Sequence, residues 1–251
     1  MTNTIVLFIT LIVGLLSILG LFLNYKKKKA ENINAKKVFT KGILIVSIFI
    51  IMLNVINPLY NYLYNYFFPA AVYYNSGNVW LLNGNKDRAL ADFNEAIQLN
   101  PNYVEAYYIR GIVYAQMGIY QKALEDFNEA IQLNPNYVEA YNIRGKIWLG
   151  IGDKDRALAD FNNVIQLKPN DVEAYSNRGI VYYQMGNYQQ AVEDFDGAIR
   201  LKSDYAQAYF YRAFIYLNHD NKELGCLDAR KACELGNCKL LETANTKGLC
   251  R

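Results

Sequence analysis

The residues best equipped for chemistry are four cysteines, Cys226, Cys233, Cys238 and Cys250, crowded at the C-terminal end. Thiols grouped this way can form disulfides, hold a zinc ion or stay free. Structural zinc sites favour C-x2-C pairs, and this spacing has none, so zinc is the weaker choice. Cys226 and Cys233 fall on one predicted helix, about 10.5 Å apart at 1.5 Å per residue, beyond the ~7 Å that a disulfide bridges. Two connectivities remain: Cys226–Cys250 with Cys233–Cys238, or Cys226–Cys238 with Cys233–Cys250. The short loop at Gly236 favours the first. His219 is the lone histidine. No Ser/His/Asp set, phosphate loop or His–Glu metal motif stands beside it. The residue inventory therefore argues against an enzyme, and no cofactor or metal is expected.

A second set of charged residues recurs with a fixed spacing. Arg110, Arg144, Arg178 and Arg212 are 34 apart, as are Asp92, Asp126, Asp160, Asp194 and Asp228. An arginine ladder could grip an acidic ligand. The two residue types track each other, however, so a bridge between helices is the expected role. The expected register pairs each Asp with the Arg of the following unit. The first unit, with Ser76 in the arginine position, then needs no cation.

These residues sit in repeats. DRALADFNEAIQLNPNYVEAYYIRG (87–111) recurs at 121–145, 155–179 and, more loosely, 189–213, each time 34 residues on. Tyr107, Gly111 and Tyr114 mark one face of a first helix, and Ala123, Phe127, Ala130 and Ile131 one face of a second. Gly84, Gly118, Gly152 and Gly186 fall where a helix C-terminus favours a left-handed residue. Asn134-Pro135-Asn136 ends one unit and opens the next. A pair of helices this thin buries no core alone, so the units must stack.

The period and the signature residues (Tyr107, Gly111, Tyr114, Ala123, Phe127, Ala130 and Pro135 in the second unit) resemble the tetratricopeptide repeat. The resemblance implies an all-α superhelical solenoid of five helix–turn–helix units: 70–103, 104–137, 138–171, 172–205 and a degenerate 206–239. Residues 240–251 are expected to form a capping helix. In that family the first helices line a concave groove. The implied groove positions here are Tyr74, Asn78, Tyr108, Ile112, Asn142, Lys146, Ser176, Ile180, Phe210 and Phe214. Solvated aromatics and amides there suit a peptide or protein partner. The family's clamp for C-terminal carboxylates is disfavoured, because Glu105, Glu139 and Glu173 stand where that clamp's last unit has lysine.

The remaining 69 residues differ in character. Residues 5–23 and 42–63 are apolar runs long enough to span a bilayer. The loop 24–41 between them carries seven lysines. The positive-inside rule keeps such a loop cytoplasmic, so the expectation is a two-span, multi-pass membrane anchor with the repeats on the non-cytoplasmic side. The same lysines could contact membrane lipid. Residues 70–251 carry 19 basic against 22 acidic side chains, which argues against nucleic acid as a partner. The resulting expectation is a non-catalytic interaction scaffold, with an accessory subunit of a membrane enzyme or transporter as the alternative.

Overall fold

The computed structural model describes residues 63–66, 68–219 and 221–250. The repeats lie in one compact unit, residues 70–251. Unit one pairs α1 (Pro69–Leu82) with α2 (Lys86–Leu99). Unit two pairs α3 (Val104–Gln116) with α4 (Tyr120–Leu133), and unit three α5 (Val138–Ile151) with α6 (Lys154–Leu167). Unit four pairs α7 (Val172–Gln184) with α8 (Tyr188–Leu201), and unit five α9 (Ala206–Asn218) with α10 (Lys222–Glu234). A short α11 (Lys239–Thr246) follows.

Local chemistry sets the helix ends. The Asn85 and Asp153 side chains accept from the backbone N–H groups of Arg88 and Arg156, each at 3.1 Å, and start α2 and α6. In the first four units the turn between helices closes on a glycine with φ between +75° and +88°. A side chain there would be strained. Asn100 and Asn134 leave the helical conformation just before a proline, as the ring of the next residue requires.

The core repeats with the sequence. Phe93, Phe127, Phe161 and Phe195 are wholly buried, one per unit. Each ring lies against the glycine of its partner helix: a Cβ on Gly77, Gly111, Gly145 or Gly179 would stand 2.7–3.0 Å from the ring. Burying such a side chain contributes roughly 1.5–3 kcal/mol. Each unit also packs on the next, and α5, α7 and α9 touch one another in turn. Contact between successive first helices puts them on the inner, concave side of the stack.

The membrane expectation is corrected here. Among the described residues no helix is long and apolar enough to cross a bilayer. The longest have 14 residues, about 21 Å against ~30 Å of hydrocarbon. The multi-pass placement is therefore not supported and is set aside. Residues 5–23, the loop 24–41 and all of 42–63 except Leu63 lie outside the described residues.

Candidate functional site

The concave face carries the residues expected to meet a partner, and they fall into three groups. Tyr74, Asn78, Tyr108, Ile112, Asn142, Phe210 and Phe214 are half-buried, and Lys146 is exposed. Ser176 and Ile180 are buried, so the expectation of solvated side chains fails at those two positions.

Aromatic stacking organises the N-terminal half of the face. The ring of Tyr74 lies 5.0 Å from Tyr103, and that of Tyr108 lies 4.8 Å from Tyr137. Each partner tyrosine closes its own unit and folds over the fifth residue of that unit. Burial pushes the Tyr137 phenol well above its ordinary value, and Tyr108 and the carboxylates of Glu105 and Glu139 push it further. In unit three the stacked pair gives way to polar groups. Asn142 Oδ1 is buried without a hydrogen-bond partner. Asp171 caps α7 through the Ala174 N–H at 3.0 Å and takes Lys168 Nζ at 2.9 Å. Lys146 Nζ reaches Glu173 Oε2 at 2.8 Å. At the far end Phe214 meets Tyr183 edge-on at 5.8 Å.

The arginine–aspartate ladder exists, in a different register from the one expected. Arg144 places Nε and Nη2 on Asp160 at 2.9 and 2.6 Å, within its own unit. Its Nη1 crosses to Asn128 of the preceding unit at 2.6 Å. Arg110 does the same with Asp126 and Asn94, and Arg178 with Asp194 and Asn162. Arg212 pairs with Asp228 and Asp196. The seventh residue of each first helix thus faces its own second helix, which carries the aspartate. The unit left without an arginine is the first, and there Asp92 Oδ2 is buried with no partner among the described residues. Burial pushes the Asp126, Asp160 and Asp194 carboxyls up even with a guanidinium in hydrogen bond. The arginines lie over ring faces at about 5.5 Å, fully engaged inside the stack. They are structural, as the tracking of the two residue types implied.

At the C-terminal end Cys226 is bonded to Cys250 and Cys233 to Cys238, with Cα atoms 5.4 and 3.9 Å apart. Among the described residues no group of His, Cys, Asp and Glu could hold a metal ion. His219 is exposed at the end of α9, its ring 4.1 Å from Tyr188. A hollow of about 500 Å³ bordered by Asn83, Lys86, Asp87 and Met117 opens at the helix turns and shares no residue with the concave set.

Family models described as tetratricopeptide repeat match residues 104–137 and 145–215, and one described as TPR repeat matches 77–118. No curated protein matches the chain. Among solved structures, that of MamA is 26% identical, covering 65% of this chain and 96% of its own, with a TM-score of 0.62. MamA 41-end from Desulfovibrio magneticus RS-1 is also 26% identical, covering 66% and 94%, at 0.63. YrrB, described as a TPR protein with an unusual peptide-binding site, is 23% identical, covers 70% and 90%, and scores 0.62. At that identity it speaks for the fold alone. The three family matches, the 34-residue period and the stacked helix pairs agree: the chain belongs to the tetratricopeptide repeat family.

Proposed function

We propose that the chain is a protein-interaction scaffold whose concave face receives an extended segment of a partner protein. The contact residues would be drawn from Tyr74, Asn78, Tyr108, Asn142, Lys146 and Phe210. Asn142 carries the reading. The side chain is half-buried, and its buried amide oxygen has no partner among the described residues, at a cost of about 1–3 kcal/mol; a turn of the side chain on binding would bring it to a main-chain N–H of a guest. The half-buried rings on either side offer apolar area with little entropy to lose on binding. YrrB, of the same fold, is itself described as having a peptide-binding site.

Site-specific photo-crosslinking tests the reading in intact cells. A photoreactive phenylalanine analogue at Asn78 should give a discrete adduct to another protein, and the same analogue at Glu129 on α4 should not. Equal labelling from both positions, or none from either, would overturn the scaffold reading.

A further inference from the structure

The stack shows how its own groove receives a cation. Lys146, the ninth residue of unit three, sets its ammonium 2.8 Å from Glu173, the second residue of unit four. One unit back, the same two places are held by Ile112 and Glu139, and two units back by Asn78 and Glu105. Neither Ile112 nor Asn78 can bring a charge. Among the described residues no cation bonds Glu105 or Glu139, and both are exposed. A second lysine, Lys168, is bound to Asp171 and adds its field at Glu139 and Glu173. Its counterparts in units one and two are Asn100 and Asn134. Four carboxylates on this face thus meet two ammonium groups, and the two left over, Glu105 and Glu139, lie in units two and three.

The surroundings of the two open positions suit a guest cation. The stacked pairs Tyr74–Tyr103 and Tyr108–Tyr137 stand beside them, and an aromatic face attracts an ammonium or guanidinium. The Tyr137 hydroxyl lies in the field of both Glu105 and Glu139. Further along, Asn142 Oδ1 has no partner. A lining dominated by acceptors and negative charge selects a guest rich in donors and positive charge.

We infer that the groove selects a basic partner segment, an extended peptide whose Lys or Arg side chains take the places at Glu105 and Glu139 that Lys146 takes at Glu173. This rests on the groove being a peptide site and adds the chemistry of its guest. Such binding weakens as salt rises, since the carboxylates are solvent-facing.

Selection of random dodecapeptides displayed on phage against the full chain tests it. Lys and Arg should be enriched, and a fluorescent copy of an enriched peptide should lose about tenfold or more in affinity with Glu105→Gln/Glu139→Gln. Lys146→Ala, which opens a third place at Glu173, should strengthen the same peptide by about threefold. Glu125→Gln/Glu129→Gln on α4 should leave it unchanged. The Glu and Lys substitutions are at exposed positions, and every variant is checked for unaltered helical content. Enrichment of acidic or uncharged peptides, or binding indifferent to Glu105→Gln/Glu139→Gln, overturns the basic preference alone. If no peptide is enriched, or binding survives Tyr108→Ala/Asn142→Ala, the groove reading falls with it.

Discussion

In unit three the ring of Phe161 fills the space against Gly145; in unit five the same two positions are Ala229 and Ala213, both wholly buried. The ring and the bare backbone have been exchanged together. What the two alanines leave open is closed from outside the unit, by Leu240 of α11, which packs with both. An inner unit completes its core with the first helix of the next unit, as Val181 does for Phe161. The last unit borrows a side chain from the cap, and the cap is tied back by Cys226–Cys250. The first unit shows the opposite treatment. It keeps the Gly77–Phe93 pair but has lost the arginine that would answer Asp92. The lesson is that the two ends depart from the repeat by different routes, one in packing and one in electrostatics.

The largest effect that could break this contrast lies in the inner core. Phe161→Ala should cost about 3–5 kcal/mol in denaturant unfolding, because no cap residue reaches unit three. Gly145→Ala alone should cost about 1–3 kcal/mol through overlap with the ring. The double variant copies unit five and should recover most of the glycine penalty but none of the phenylalanine one. Full recovery would mean that the alanine pair suffices without Leu240.

Next in size is the ladder. Arg144→Ala should cost about 3 kcal/mol, since Asp160 then keeps a buried charge without its partner. In a double-mutant cycle the loss should shrink sharply with Asp160→Ala and hardly with Asp126→Ala. The reverse coupling would restore pairing between units.

At the cap, Cys226→Ser/Cys250→Ser should lower stability by about 2–3 kcal/mol, with the gain in hydrogen exchange confined to α10 and α11. Cys233→Ser/Cys238→Ser, which opens a loop of sequence separation 5 rather than 24, should cost less. Loss spread evenly over all units would contradict the local role of the cap.

Ser76→Arg probes the other end. It supplies Asp92 with the guanidinium that every later unit has, and should raise stability by about 1 kcal/mol, visible as a higher unfolding midpoint. No gain, while Arg144→Ala is costly, would show that unit one satisfies Asp92 by another route.

The smallest effect concerns Asp171, the one unit-closing residue that is not tyrosine among 103, 137, 171 and 205. Asp171→Ala should cost about 0.5–1 kcal/mol at pH 7, through loss of the cap on α7. Burial pushes its carboxyl up, but the hydrogen bonds from Lys168 and the Ala174 N–H outweigh that and hold it below the ordinary carboxylate range. A carboxyl lower in the folded than in the unfolded chain stabilises above its unfolded value and loses that contribution as pH falls through its folded one. The penalty should therefore shrink as pH falls below the ordinary carboxylate range and be absent in strong acid. A penalty unchanged there would remove the electrostatic account.

Much of this was legible in residue spacing, and the reasons for the failures are physical. Period, helix pairs, turn glycines and the small residues facing Phe127 follow from contacts within a few turns of chain, so spacing reveals them. The ladder register does not. Asp92 and Asp126 lie 18 and 16 residues from Arg110, and only the direction in which a first helix turns its seventh side chain decides between them. The recurring Asn94, Asn128 and Asn162, which take the third arginine nitrogen, are visible in the same alignment and were the missed clue. Burial of Ser176 and Ile180 depends on how closely unit four sits against unit five, which no single unit encodes.

The ladder has a consequence for how such a chain can change in length. Arg110, Arg144 and Arg178 each answer an aspartate of their own unit and an asparagine of the one before, and the residue types at that joint are the same from unit one to unit three. Excision of residues 104–137 would bring Arg144 to Asn94 in place of Asn128, and Val138 to Tyr103 in place of Tyr137, with every donor still matched. Slippage of the gene by one copy is thus silent at the joint. What it alters is the number of open carboxylates along the groove, so partner choice can drift by whole copies while both ends stay untouched.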